Sequence, residues 1–110
     1  MKTMETIGLA LALLVSFGAS AQSVDGPNTP CIGQPTAYKL CLSQNFPYNW
    51  AWSVNNGASV VDMGTDGISC YLATVTPGAS AFFLTFSQSN PPGLPQPANI
   101  TKYAVPRRCN

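Results

Sequence analysis

Large apolar and small polar residues alternate along this chain with a period of two. From Tyr48 to Val54 the even positions are Tyr48, Trp50, Trp52 and Val54, and the odd positions are Asn49, Ala51 and Ser53. A strand with this pattern buries one face and wets the other, because successive side chains point to opposite sides of the pleat. The same rhythm sets Phe82, Leu84 and Phe86 against Phe83, Thr85 and Ser87. Tyr38, Leu40 and Leu42 make a third inward row, and Ile68 with Leu72 a fourth. Runs rich in β-branched and aromatic residues predict strands over 37–42, 48–54, 59–62, 68–75, 81–88 and 99–105.

Turn residues separate these runs at short intervals: Asn45-Phe46-Pro47, Asn55-Asn56-Gly57, Gly64-Thr65-Asp66-Gly67 and Pro77-Gly78. Gly, Asn and Asp accept the positive φ that tight turns need. The 10 prolines leave no long helical window after the N-terminal region, since a proline inside a helix costs about 3 kcal/mol. Several short strands with regular turns predict an all-β fold, a small antiparallel sandwich occupying residues 22–110 as a single domain. The stretch Asn90 to Pro97 carries four prolines and is expected to be an exposed, extended connection.

Residues 1–21 read as a signal peptide. Lys2 gives a positive start, Ile7 to Phe17 is apolar, and Ala19-Ser20-Ala21 fits the small-x-small cleavage pattern, placing the cut before Gln22. The apolar run is too short to span a ~30 Å hydrocarbon core as a helix. A secreted, extracellular product with no membrane attachment after cleavage is therefore expected. In that compartment Cys31, Cys41, Cys70 and Cys109 read as two disulfides. Of the three possible connectivities, the favoured one ties the start of the domain to its end through Cys31–Cys109, with Cys41–Cys70 inside. Closing the longer loop would restrict the unfolded chain by roughly 4 to 4.5 kcal/mol in the entropy model.

Charge and chemistry then narrow the functions. Residues 22–110 hold three aspartates, Asp25, Asp62 and Asp66, against Lys39, Lys102, Arg107 and Arg108, and there is no histidine. Nucleic-acid binding rests on many Lys and Arg contacts to phosphate, so it is not expected. The commonest general base and metal ligand is missing, and a serine nucleophile would lack its usual base. Neither an enzyme nor a cofactor or metal site is expected. Asp62 and Asp66 fit no calcium-loop pattern, and Asp66-Gly67 reads as turn chemistry.

Shared parity with Val54 places Tyr48, Trp50 and Trp52 in the core rather than on a sugar-stacking surface. Phe83, Phe46, Tyr71 and Tyr103 break the inward pattern and are the candidate contact surface. Arg107 and Arg108 beside Cys109, with Lys102 nearby, could meet an anionic partner, although three charges at a chain end more often form a solvated terminus. Asn99-Ile100-Thr101 is an N-glycosylation acceptor triplet if the source is eukaryotic.

The Trp50 to Val54 strand, Asn55-Asn56-Gly57-Ala58-Ser59-Val60-Val61, the Gly64 to Gly67 turn, Ile68 to Leu72 and the Phe82 to Phe86 strand together resemble the PKD-like branch of immunoglobulin-like domains. The resemblance covers roughly residues 36–90. It implies a Greek-key sandwich with Trp52 in its core, used as a spacer, adhesion or ligand-binding module. The four cysteines and the single copy depart from the family's usual pattern. The expected function is a secreted, monomeric recognition module that binds an extracellular glycan or protein through its surface. Standing alone with four cysteines points instead to a small secreted effector, toxin or inhibitor acting on another organism's protein. A structural extracellular component assembling through strand edges is a further reading.

Overall fold

The computed structural model describes residues 23–43, 46–67 and 69–109, so the expected leader and Ile68 lie outside the described residues. Seven strands form: β1 (Val24–Asp25), β2 (Thr36–Cys41), β3 (Asn49–Val54), β4 (Ser59–Thr65), β5 (Cys70–Thr76), β6 (Phe82–Ser89) and β7 (Ile100–Ala104). They make two antiparallel sheets, one of four strands in the order β1-β2-β5-β4 and one of three in the order β3-β6-β7. The predicted all-β sandwich is the observed fold.

Alternation builds the core. Tyr38 and Leu40 from β2, with Leu42 just beyond it, and Tyr71, Ala73 and Val75 from β5 face Trp52 from β3 and Phe82, Leu84 and Phe86 from β6. Phe86 lies at the centre of the aromatic packing: its ring is 5.0 Å from Trp52, 5.0 Å from Tyr71 and 6.0 Å from Trp50. Aromatic pairs at such separations add to the gain from area burial. The indole Nε1 of Trp52 is buried with no hydrogen-bond partner among the described residues, so Trp52 acts in the core through its apolar surface.

Both disulfides join the favoured partners. Cys41 and Cys70 are directly opposed in the β2–β5 ladder. Cys31–Cys109 closes a loop of separation 78. It fastens a segment that periodicity gives no sign of, in which Val105 N–H donates to Asn28, Arg107 N–H to Pro30 and Ile32 N–H to Arg107, so that 28–32 runs parallel to 105–107. From β1 in one sheet the chain thus crosses to the other within a few residues. Gly26 makes the crossing possible, since a Cβ there would run into the ring of Tyr38, whose hydroxyl donates to Pro27 O at 2.8 Å.

Several expectations need correction. The inward row of β5 is Tyr71, Ala73 and Val75; Leu72 lies on the outer face, because β5 starts at Cys70 and its own alternation turns the odd positions inward. Tyr48 is 72% exposed rather than buried, since it sits beyond Asn49↔Ser89, the last rung of its ladder. Gly64 does not end β4, which continues to Thr65 through a bulge between Asp62 and Thr65; Asp62 Oδ1 accepts from Gly64 N–H. The stretch Asn90 to Pro97 is exposed but not extended. It curls around the side chain of Gln96, which accepts from Asn90 N–H and donates to the carbonyls of Asn90, Pro91 and Leu94.

Truncating Phe86 removes the ring against which three others pack. Phe86→Ala is expected to cost about 3 to 5 kcal/mol, read as a lower midpoint in equilibrium denaturation with both disulfides oxidised. Burial also raises the hydroxyl pKa values of Tyr38 and Tyr71 above the ordinary 10.0. The unfolded chain then releases these protons first, so stability is fully present below pH 10 and falls as pH rises through the folded values. A pH series of denaturation midpoints checks this, and the alkaline fall should be shallower in Tyr38→Phe.

Candidate functional site

The three-stranded sheet turns one face to the core and the other outward. Registers Ala51↔Ser87, Ser53↔Thr85, Phe83↔Tyr103 and Thr85↔Thr101 place the outward residues of β3, β6 and β7 in rows across the sheet. One row is aromatic. Phe83 and Tyr103, 46% and 54% exposed, are cross-strand neighbours with ring centroids 5.0 Å apart and planes inclined by 46°. The adjacent row is hydroxylic: Ser53, Thr85 and Thr101 stand side by side on the three strands, with the Oγ1 atoms of Thr85 and Thr101 at 3.3 Å. Farther along, Asn49, Ala51, Ser87 and Ser89 line a shallow depression of about 220 Å³ together with Trp50 and Gln88.

This face therefore ends in two aromatic rings, continues in hydroxyl and amide groups, and carries no formally charged side chain among its described outward residues. The outer face of the other sheet differs. Asp25 and Lys39 border its groove of about 500 Å³, which is walled by Ala37, Met63, Leu72 and Thr74.

The β3–β4 turn fixes the aromatic row. Asn56 and Gly57 both take positive φ, 53° and 85°, with Ala58 N–H closing on Asn55 O, a turn that Asn-Gly favours. From this turn Asn55 Oδ1 accepts from Phe83 N–H at 2.8 Å and Asn56 Nδ2 donates to Ala81 O at 2.9 Å. Two side chains thus pin the start of β6, and Phe83 with it, to the end of β3.

The other candidate residues scatter. Tyr71, expected on the contact surface, is only 7% exposed and packs against Trp50 and Phe86, because it occupies the inward phase of β5. Phe46 is exposed at the opposite end of the sandwich from Phe83, near exposed Tyr48, whose N–H donates to Asn90 Oδ1, and Leu94 of the β6–β7 loop. Lys102 and Arg107 both reach the 28–29 segment: Lys102 Nζ donates to Asn28 Oδ1 at 2.7 Å and Arg107 Nε to Thr29 O at 3.2 Å. These two cations stitch the parallel segment, while Arg108 is exposed. Asp66 Oδ1 accepts from Ser69 and Cys70 N–H, as turn chemistry requires. Asn99 is exposed at the start of β7, and its Oδ1 accepts from Gln88 N–H.

Among the described residues no group of three or more His, Cys, Asp or Glu comes together as a metal site. Comparison with protein-family models, curated proteins and solved structures returns no match.

Gln96 is the internal anchor of the β6–β7 loop. Gln96→Ala should speed hydrogen exchange at Asn90 N–H and leave the global unfolding midpoint nearly unchanged, because the hydrogen bonds lost are exposed and local. Site-resolved exchange measured beside a denaturation curve checks both parts.

Proposed function

We propose that this protein is a secreted, non-catalytic recognition module of immunoglobulin-like type, acting as a monomer and binding an extracellular glycan through the outer face of β3, β6 and β7. The observation that carries the reading is the exposed Phe83–Tyr103 pair set beside a hydroxyl row on an uncharged sheet face. Rigid aromatic faces offer large contact area at low conformational cost, and the C–H faces of sugar rings are the apolar surface such rings can cover.

The strand order supports the immunoglobulin-like part. A four-stranded sheet ordered first-second-fifth-fourth, facing a third-sixth-seventh sheet, is the order of seven-stranded constant-type domains. The PKD-like branch shares that sandwich and the aromatic-x-Trp strand. The disulfides differ from the antibody arrangement. Cys41–Cys70 joins neighbours within one sheet, and Trp52 packs on Phe86 where an antibody domain carries its inter-sheet bridge. Secretion rests on the leader pattern and on the two disulfides, which persist in oxidising compartments.

A second reading, a free-standing effector or inhibitor acting on another organism's protein, draws on Phe46, Tyr48 and Leu94. All three are exposed at the loop end of the sandwich, a place suited to protein recognition.

One experiment separates the two. The disulfide-bonded protein is passed over immobilised polysaccharides, beside a Phe83→Ala, Tyr103→Ala double variant and a Phe46→Ala, Tyr48→Ala double variant. Retention lost only in the first variant is the outcome expected for the glycan reading. Absence of retention on every polysaccharide, with a protein captured from the extracellular milieu through Phe46 and Tyr48, would replace it with the second.

A further inference from the structure

We infer that the ligand of the β3–β6–β7 face is a neutral glycan, with one pyranose ring stacked on Phe83 and Tyr103 and the next ring's hydroxyls meeting the row Ser53, Thr85 and Thr101. The inference rests on the glycan-binding reading and adds the substrate class.

The argument is one of charge and hydrogen-bond capacity. A uronic or sialic carboxylate, or a sulfate, laid on this face would leave water without meeting a cation, because the outward positions of all three strands are aromatic, hydroxyl, amide or alanine. An unpaired charge so placed is strongly disfavoured, and the mismatch acts against acidic ligands without any steric clash. The cations nearest in sequence do not offset it. Lys102 has the opposite parity to Thr101 and Tyr103, and it shares the groove at the β1–β7 edge with Asp25, where its ammonium gives one of its three donors to Asn28 Oδ1 at 2.7 Å.

Hydroxyls, by contrast, match a neutral sugar in kind. Each Ser or Thr hydroxyl has one donor and two acceptor positions, so the 3.3 Å contact between Thr85 and Thr101 uses one donor and one acceptor of the pair and leaves the rest for the ligand. The order of the rows also matters. The apolar rings and the hydroxyls occupy successive outward-facing rungs of one ladder, Phe83↔Tyr103 and Thr85↔Thr101, with the oppositely facing Leu84↔Lys102 between them, which lets an extended chain place an apolar ring face over one and a set of hydroxyls over the other.

Affinity gel electrophoresis of the disulfide-bonded protein tests this, with neutral glucan, mannan and xylan in one set of gels and polygalacturonate and alginate in another, each at low and high salt. The expected result is retardation by at least one neutral polysaccharide and by neither acidic one, unchanged by salt because no ion pair is screened. Tyr103→Ala should weaken it about tenfold, the loss of one aromatic contact. Thr85→Val, which keeps the shape and removes the hydroxyl, should weaken it about fivefold. Circular dichroism and the oxidised mass establish that each variant is folded.

Stronger retardation by an acidic polysaccharide, fading with salt and abolished by Tyr103→Ala, would overturn the neutral class while leaving this face as the glycan site. Absence of retardation by any polysaccharide, or retardation that Tyr103→Ala and Thr85→Val leave intact, would overturn the site and the class together.

Discussion

The two sheets are held together by the packing of aromatic rings around Phe86. Charges cannot do this work, because the chain has few of them and none is buried among the described residues. What remains is apolar burial, concentrated where β3, β5 and β6 bring Trp50, Trp52, Tyr71 and Phe86 into contact. Phe86 belongs to the same strand as Phe83, three residues along. Opposite parity sends one ring inward and the other outward, so the strand that locks the core also presents the exposed aromatic row. Rigidity in the first is what preorganises the second.

The disulfides complement that core rather than substitute for it. A domain this small buries a limited fraction of its surface, and its margin of stability is correspondingly narrow. Cys41–Cys70 reinforces a ladder that already exists. Cys31–Cys109 does something different, since the 28–32 and 105–107 segments contain prolines, lack an alternating pattern, and pair by only a few backbone hydrogen bonds. There the covalent link holds what hydrophobic patterning does not, with Lys102 and Arg107 adding polar anchors to the same segment.

Much of this was legible in the residues, and the failures have physical causes. The inward rows of β2, β3 and β6 follow from alternation, which needs only strand geometry. In β5, pairing Leu72 with Ile68 puts the even positions inward, whereas within Tyr71 to Thr76 Tyr, Ala and Val alternate with Leu, Thr and Thr, and that shorter window gives the observed phase. β1 is two residues long and exists because β2 offers it an edge, so it leaves no periodic signal. Phe83 and Tyr103 were visible as aromatics that break the inward pattern. Their contact was not, because it depends on the β6–β7 register across a proline-rich connection that carries no alternating pattern. Gln96, a single polar residue among prolines, carries no signature of its role as the anchor of that loop.

Asn99, just before β7, bears on how the protein is produced. That strand carries Thr101 and Tyr103, and the Oδ1 of Asn99 accepts from Gln88 N–H. A host that attaches oligosaccharide to Asn-x-Thr would place a covalent sugar on Asn99, beside the β6–β7 ladder. Material from such a host and material from a host lacking that machinery would be two different reagents with one polypeptide sequence.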